Sequence, residues 1–255
     1  MNTYLELLFL FIAAMIGGAL NATISGGWFI LFPALFYRGV APVIASATTT
    51  LALWSGHVAV SNPVSKLCQI SIRNFRFLLL ACTLGGLSGA FLLVALPHSI
   101  FEHIGPLLLL GSLVLVIGYN YVFRRVGSTA EAQYPFRYSK WKMIPLFLVG
   151  VYGGYFGAGM GMMIFIFFRY YGIKNNDILE RLATVLVSAN NGMALIIYIS
   201  TGLISWPFAI VVISGSIIGN CLGMAFGKNT NTSALRKIMI GTATLVTLYF
   251  LNLII

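Results

Sequence analysis

Apolar runs of about 20 residues dominate this chain and constrain its fold more than any other feature. A helix needs roughly 20 apolar residues to cross the hydrocarbon layer of a bilayer. Stretches of about that length occupy 74–96, 104–123, 182–200, 206–226 and 235–255. Hydrophobic residues make up 59% of the chain and charged residues 8%, which is more apolar surface than a soluble core can absorb. The sequence therefore predicts an all-α integral membrane protein.

The charge of the chain supports the same interpretation. Fifteen basic residues stand against 5 acidic ones, a net charge of +10 that would suggest nucleic-acid binding in a soluble protein. Here the Lys and Arg residues lie in the short breaks between apolar runs, as expected of cytoplasmic loops. We therefore expect the lipid bilayer as a partner and no nucleic acid, with the chain in the cell (cytoplasmic) membrane as a multi-pass protein.

The chain divides near its midpoint at its most polar stretch. Residues 124–142 are basic and predict a cytoplasmic linker. They separate a first repeat, residues 1–123, from a second, residues 143–255, within one membrane domain. Internal repeats are a common way of building transporters.

Three matches in the same order connect the two halves. Residues 47–56 (ATTTLALWSG) align without gaps with 183–192 (ATVLVSANNG). Upstream, residues 23–27 lie on 157–161. Downstream, the glycines at 85 and 89 lie on those at 215 and 219. The sequence thus predicts two four-element repeats, about eight membrane elements in all.

Each repeat opens with a glycine-broken element and continues with three helices. We predict the broken elements at 4–37 and 143–171; the helices are predicted at 43–60, 74–96, 103–123, 178–200, 205–226 and 235–255. The pieces after the breaks are about ten residues, or roughly 15 Å of helix, which is half of the hydrocarbon layer. Each broken element is therefore either one interrupted span or a re-entrant hairpin.

Loop charge favours the re-entrant hairpin. If both broken elements span, Lys and Arg residues divide evenly between the two sides. If both re-enter and the N-terminus lies outside, nearly all of them fall on the cytoplasmic side and Arg38 alone remains outside. The second arrangement also makes the two repeats inverted, because three crossings separate their starting points.

The breaks are predicted to bind substrate. The start of a helix presents backbone N–H groups and the positive end of the helix dipole, which together favour an anion. Glycines keep the backbone accessible and hydroxyls add donors, so the predicted binding residues here are Thr23, Ser25, Gly26, Gly27, Gly157, Gly159 and Gly161. The alternative is that glycines allow close helix packing. We favour packing for Gly85, Gly89, Gly215 and Gly219.

The helix after each break carries polar residues within an apolar run. The candidates for substrate binding are Thr48, Thr49, Thr184, Ser188, Asn190 and Asn191. Such groups face protein or a cavity in preference to lipid. The two asparagines either donate hydrogen bonds to an oxyanion or link neighbouring helices, and both interpretations stay open here.

Titratable residues point to an anionic or neutral substrate. The five carboxylates fall near predicted helix ends or in the linker, whereas a cation pump normally needs one near the midplane. His57 is the candidate for proton coupling, with a hydrogen bond to a neighbouring helix as the commoner role. The sequence has no nucleotide-binding loop and no metal-ligand spacing, so no cofactor and no metal is expected.

At these residues the chain resembles the sulfite exporter TauE/SafE family of membrane permeases. The features are a glycine-rich break, an apolar stretch with Pro33, and an Ala-Thr helix, all repeated in the second half, where 153–161 (GGYFGAGMG) is the nearest match. The chain departs from the family at Asn21, Thr23 and Ser25, where glycines are typical. It also has Phe167 where a proline is typical in the second half. The resemblance implies a permease for sulfite or a related organosulfur anion such as a sulfonate.

Other functions remain as alternatives at this point. An anion channel or a sensory membrane subunit would share the same architecture, and a homodimer is compatible with all three. A membrane-embedded enzyme would need clustered polar residues. His98, Glu102 and His103 form such a cluster, which we place in a short loop after Pro97. We expect no enzyme, because the second half carries no matching ligands.

Overall fold

The computed structural model describes residues 3–60, 72–125, 140–173, 175–226, 237, 240–245 and 247–248. Within these ranges the chain forms helices and no strand. The helices are α1 (Thr3–Ile24), α2 (Trp28–Tyr37), α3 (Pro42–Val60), α4 (Ile72–Ala95), α5 (His98–Arg125), α6 (Lys140–Tyr155), α7 (Met160–Tyr170), α8 (Asn176–Ser200) and α9 (Trp206–Phe226). The described residues are therefore all-α, as predicted.

Four of these helices are long and apolar enough to cross a membrane. The qualifying segments are Tyr4–Thr23, Phe75–Ala95, Ile178–Ser200 and Trp206–Phe226. Many large apolar side chains on their surfaces are exposed, Phe91 at 64% and Ile210 at 69% among them. Such surfaces need lipid around them. The prediction of a multi-span helical membrane protein is confirmed.

The predicted helix bounds agree with the structure except at two places. Residues 98–102 were predicted to be a loop, which is wrong: α5 begins at His98 directly after Pro97. Proline suits the start of a helix because its fixed φ angle is already helical and its missing N–H would be unpaired there. The predicted linker, 124–142, is helical at both ends, because α5 extends to Arg125 and α6 begins at Lys140. Its middle, 126–139, and most of the last predicted helix, 235–255, lie outside the described residues.

The first broken element is a helical hairpin. Helix α2 runs back along α1, so that the Arg38 guanidinium forms an ion pair with Glu6. The ring centroids of Phe9 and Tyr37 lie 6.2 Å apart. A Cβ on Gly17 would approach the carbonyl of Gly27 to 3.1 Å. Both ends of the hairpin therefore lie on the same side of the molecule, which is the re-entrant geometry that loop charge favoured.

The second broken element, α6 and α7, also packs against itself at its break. A Cβ on Gly153 would collide with the sulfur of Met160. The Tyr152 hydroxyl donates to the carbonyl of Ala158 at 2.7 Å. Gly157 and Gly159 have φ angles of +85° and +73°, so the sharp reversal between the helices requires glycine at both positions.

Glycine seams join helices from opposite halves of the chain. A Cβ on Gly85 or Gly89 of α4 would collide with the backbone of Phe147 or Val151 in α6. A Cβ on Gly215 or Gly219 of α9 would collide with that of Phe11 or Met15 in α1. Small residues let helix backbones approach this closely. The packing role favoured for these four glycines is confirmed.

Candidate functional site

The two helix breaks meet inside the molecule. Ser25, at the tip of the first hairpin, lies so close to Gly161 that a Cβ there would be 2.7 Å from the Ser25 hydroxyl. The Trp28 ring, at the start of α2, lies with its centroid 4.6 Å from that of Phe156 at the second break. The structure thus brings together two segments that are more than half the chain apart in sequence.

A cavity of about 260 Å³ lies between the two breaks and the helices that follow them. Both hairpin tips, the second half of α3 and the first two thirds of α8 line it. Exposed Asn176 and Glu180, in the first turns of α8, mark its opening. Ser188 and Asn191 lie three to four turns deeper along the same helix. The volume suits a small ligand rather than a drug-sized one.

Eight predicted binding or coupling residues line this cavity. They are Thr23, Ser25, His57, Gly157, Gly161, Thr184, Ser188 and Asn191. The six others lie outside its lining: Gly26, Gly27, Thr48, Thr49, Gly159 and Asn190. The structure therefore assembles residues from both breaks and both following helices in one place, while leaving several neighbours in the packed interior.

Asn190 lies among helices instead of in the cavity. Its side chain is fully buried, and its amide donates to the carbonyls of Cys82 in α4 and Gly150 in α6, at 2.8 and 3.0 Å. Of the two interpretations left open for this residue, the geometry matches the helix link. Asn191, the next residue, turns toward the cavity.

The excluded threonines and glycines have packing positions. The Thr48 hydroxyl accepts a hydrogen bond of 3.1 Å from the N–H of Ser205, and Thr49 is fully buried beside it. Gly26 is buried, and a Cβ on Gly27 would collide with the carbonyl of Gly17 in α1. Gly159 occupies the left-handed position before α7, where a residue with a side chain would be strained.

Backbone N–H groups at the breaks are partly used within the protein. At the first break the amides of Phe29, Ile30 and Leu31 donate to the carbonyls of Gly26 and Gly27. At the second, the amides of Met160, Met162 and Met163 donate to the carbonyls of Gly157 and Gly159. No side chain caps α2 or α7. The sequence predicted that backbone N–H groups at the breaks bind the anion. Because several of these groups are already hydrogen-bonded, side-chain donors must supply more of the contacts to a ligand.

Two hydroxyls in the cavity already donate hydrogen bonds to backbone carbonyls of the protein. Thr23 donates to the carbonyl of Ala19 at 3.0 Å, and Thr50 donates to that of Ser46 at 3.0 Å. These hydroxyls remain acceptors only. The indole N–H of Trp54 is also used, because it donates to the carbonyl of Ser188 at 2.8 Å.

Trp28 presents a donor that the protein does not use. Its side chain is 3% exposed and lines the cavity, and its Nε1 has no hydrogen-bond partner. Asn191 contributes a second polar group, since its Oδ1 is likewise without a partner. Buried polar groups are almost always paired, so two unpartnered ones beside one cavity indicate a site for a polar ligand.

The electrostatic surroundings of the cavity are mixed. Among the described lining residues, Glu180 is the carboxylate and none is Lys or Arg. Arg169 does not line the cavity but bonds a residue that does: its Nη1 donates to Asn176 Oδ1 at 3.3 Å. The Arg169 side chain is 4% exposed. A buried positive charge thus stands close to the opening without entering the cavity.

Sequence patterns did not single out Trp28, Trp54 or Glu180. Tryptophan in a span counts as apolar, although it is enriched at membrane interfaces and uncommon at depth. Its position directly after a helix break was the available signal for Trp28. Glu180 was predicted near a helix end, which is correct. That its side chain faces the cavity depends on how α8 packs, which the sequence did not show.

The fold and the cavity define a class: a multi-span helical membrane protein with an internal cavity at paired helix breaks, the position at which transporters bind substrate. The chain belongs to the sulfite exporter TauE/SafE family, whose sequence model matches residues 10–250. The family and the names of the relatives below indicate a transporter in preference to an enzyme.

Relatives match nearly the whole chain at low identity. A probable membrane transporter protein of Haemophilus influenzae is 23% identical over 91% of this chain and 89% of its own length. The probable membrane transporter protein YfcA of Escherichia coli K12 is 22% identical, covering 91% and 84%. The probable membrane transporter protein ORF9 of a Sinorhizobium species is 22% identical, covering 92% and 88%. No solved structure matches this chain significantly.

Proposed function

We propose that this protein is a permease that moves a small oxyanion, sulfite or an organic sulfonate, across the cytoplasmic membrane. The observation that carries the proposal is the cavity between the two helix breaks, where the Trp28 N–H has no partner. Asn191 and the hydroxyls of Ser25 and Ser188 surround the same space. The family to which the chain belongs is described by sulfite export, which supports the same substrate class.

The charge of the lining favours a monoanion over a dianion. The electrostatic cost of removing an ion from water rises steeply with its charge, and the described lining offers neutral donors with no Lys or Arg to offset that cost. Glu180 at the opening adds repulsion. We therefore expect sulfonates and hydrogensulfite to bind better than sulfate.

The two halves form an inverted repeat in this proposal. The support comes from the glycine seams. Gly85 and Gly89 meet the backbone of Phe147 and Val151 in the second hairpin, and their counterparts Gly215 and Gly219 meet that of Phe11 and Met15 in the first. Each hairpin packs against the glycines of a helix from the other half. With the loop charges on the cytoplasmic side, the cavity opens inward, since α8 begins there.

An aromatic row runs along α2, starting from Trp28 in the cavity lining. The Trp28 ring stacks on Phe32 with centroids 4.2 Å apart, and Phe32 is followed by Phe36 at 6.4 Å. This row runs along α2 toward Arg38. A site accessible from one side at a time suits a carrier better than a channel.

Counterflow in proteoliposomes tests the function. Vesicles preloaded with unlabelled methanesulfonate should accumulate labelled methanesulfonate or sulfite in a saturable way, and sulfate should compete poorly. Non-saturable flux would indicate a channel, and absence of flux with retained binding would indicate a sensory subunit. Transport confined to cations or neutral solutes would refute the anion proposal.

His57 is the proposed proton-coupling group, since it lines the cavity from α3. We expect His57→Asn to leave counterflow intact but to abolish net uptake driven by a pH gradient. Counterflow exchanges substrate without net proton movement, so it is the internal control. Net uptake that survives the substitution would remove His57 from the coupling mechanism.

A further inference from the structure

We infer that the indole N–H of Trp28 donates a hydrogen bond to an oxygen of the transported oxyanion and so selects substrates that carry an acceptor at this point. The inference rests on the proposed function and identifies a group that recognises the substrate. Indole nitrogen is a donor only, so it bonds an anion or a carbonyl and cannot coordinate a cation.

Trp28 and Trp54 provide an internal comparison. Both rings line the cavity. The Trp54 N–H has a partner in the carbonyl of Ser188, which links α3 to α8. The Trp28 N–H has none, although its side chain is 97% buried. A buried donor without an acceptor is costly, and a bound ligand is the partner that removes this cost.

The surroundings of Trp28 fix the direction of the N–H. Phe32 stacks on the indole at an interplanar angle of 12°, and Phe156 packs at 47° with a centroid distance of 4.6 Å. These contacts prevent the ring from turning to find another partner. The donor is therefore held in place before the ligand arrives, as efficient binding requires.

Gly157 lies beside this N–H and places no side chain against it. A Cβ on Gly157 would lie 3.8 Å from Trp28 Nε1 and 3.7 Å from Thr50 Oγ1. The φ angle of +85° already disfavours any other residue here. Glycine thus serves both the reversal of the chain and the approach of a ligand oxygen.

Proton NMR of the indole groups in the full-length protein tests the inference directly. Protein labelled with ¹⁵N-tryptophan in detergent micelles gives four indole signals, from Trp28, Trp54, Trp141 and Trp206. We expect methanesulfonate to move one signal strongly downfield, and this signal to be the one missing from Trp28→Phe. A downfield shift reports a hydrogen bond formed at that proton.

Binding affinity gives the second measurement. Trp28→Phe keeps an aromatic ring but removes the donor, and should weaken methanesulfonate binding between about tenfold and a hundredfold. Trp141→Phe and Trp206→Phe are matched controls, because these rings are 80% and 51% exposed and lie outside the cavity lining. Both should bind as the parent protein does.

The outcomes separate this inference from the proposed function. If methanesulfonate binds but the Trp28 signal does not move, the inference is wrong and the anion permease stands. If no anion binds the parent protein, both fail. If Trp28→Phe does not fold, the shift of the Trp28 signal in the parent protein decides, with Trp54→Phe, Trp141→Phe and Trp206→Phe assigning the other three signals.

Discussion

Ser25 occupies a backbone conformation that ordinarily belongs to glycine. Its φ angle of +54° is left-handed, which costs a residue with a side chain about 1 kcal/mol. Strain of this kind persists where the surroundings enforce it and is frequent at functional sites. Here Ser25 lies at the tip of the first hairpin, against Gly161, and lines the cavity.

Two substitutions separate the strain at Ser25 from its hydroxyl. Ser25→Gly relieves the backbone strain, while Ser25→Ala keeps it, so we expect the glycine variant to be more stable by about 1 kcal/mol in thermal unfolding. Both variants lack the hydroxyl and should weaken methanesulfonate binding equally. Equal stability of the two would disprove the strain, and unchanged binding in both would remove the hydroxyl from the site.

The seam glycines are sensitive to a single methyl group. Gly89→Ala and Gly219→Ala each place a Cβ against a backbone carbonyl, that of Val151 or of Met15. We expect each to lower the free energy of unfolding by about 1–3 kcal/mol, because neither neighbouring helix backbone can move away cheaply. Gly111→Ala in α5 is the control, since a Cβ there meets nothing within 4 Å. A similar loss in all three would argue against close packing as the cause.

At the scale of the helices, adjacent asparagines in α8 have different tasks. Asn190 joins α4, α6 and α8 through two hydrogen bonds to backbone carbonyls, whereas Asn191 lines the cavity. Asn190→Ala should lower stability by about 1–3 kcal/mol while the folded fraction still binds. Asn191→Ala should keep stability and weaken methanesulfonate binding.

Thermal unfolding and a binding titration on the same two preparations check this contrast. A reversed pattern, with Asn191→Ala unstable and Asn190→Ala defective in binding only, would contradict the placement of both side chains.

The sequence predicted helices better than it predicted the site. Bounds such as 206–226 followed from apolar length, which the bilayer sets directly. The hairpin tips followed from glycines that a continuous helix would not favour. Which polar side chains reach the cavity depended instead on helix rotation: Asn190 and Asn191 are consecutive in sequence, yet tertiary packing alone turns one inward to α4 and the other to the cavity.

At the scale of the whole molecule, the proposed inverted topology predicts opposite sides for two matched tyrosines. Tyr37 and Tyr170 end the half-helices α2 and α7 and are 75% and 82% exposed. In a background with Cys68, Cys82 and Cys221 replaced by alanine, Tyr37→Cys should react with an impermeant thiol reagent from outside. Tyr170→Cys should react only after the membrane is opened.

Accessibility labelling of intact and permeabilised cells makes the measurement. Labelling of both cysteines from the same side would contradict inverted halves. It would indicate instead that the two hairpins enter the membrane from the same side.

The glycine seam between α1 and α9 has a consequence for how the protein is made. Helix α1 is synthesised before α9, which carries the glycines against which α1 packs, Gly215 and Gly219. Domains of larger proteins generally fold in order from the N-terminus. Here α1 cannot complete its packing in that order, because its partner helix α9 is made later. The first hairpin must wait in the lipid, incompletely packed, until α9 arrives, so chains interrupted before residue 206 should be recognised and degraded by membrane proteases.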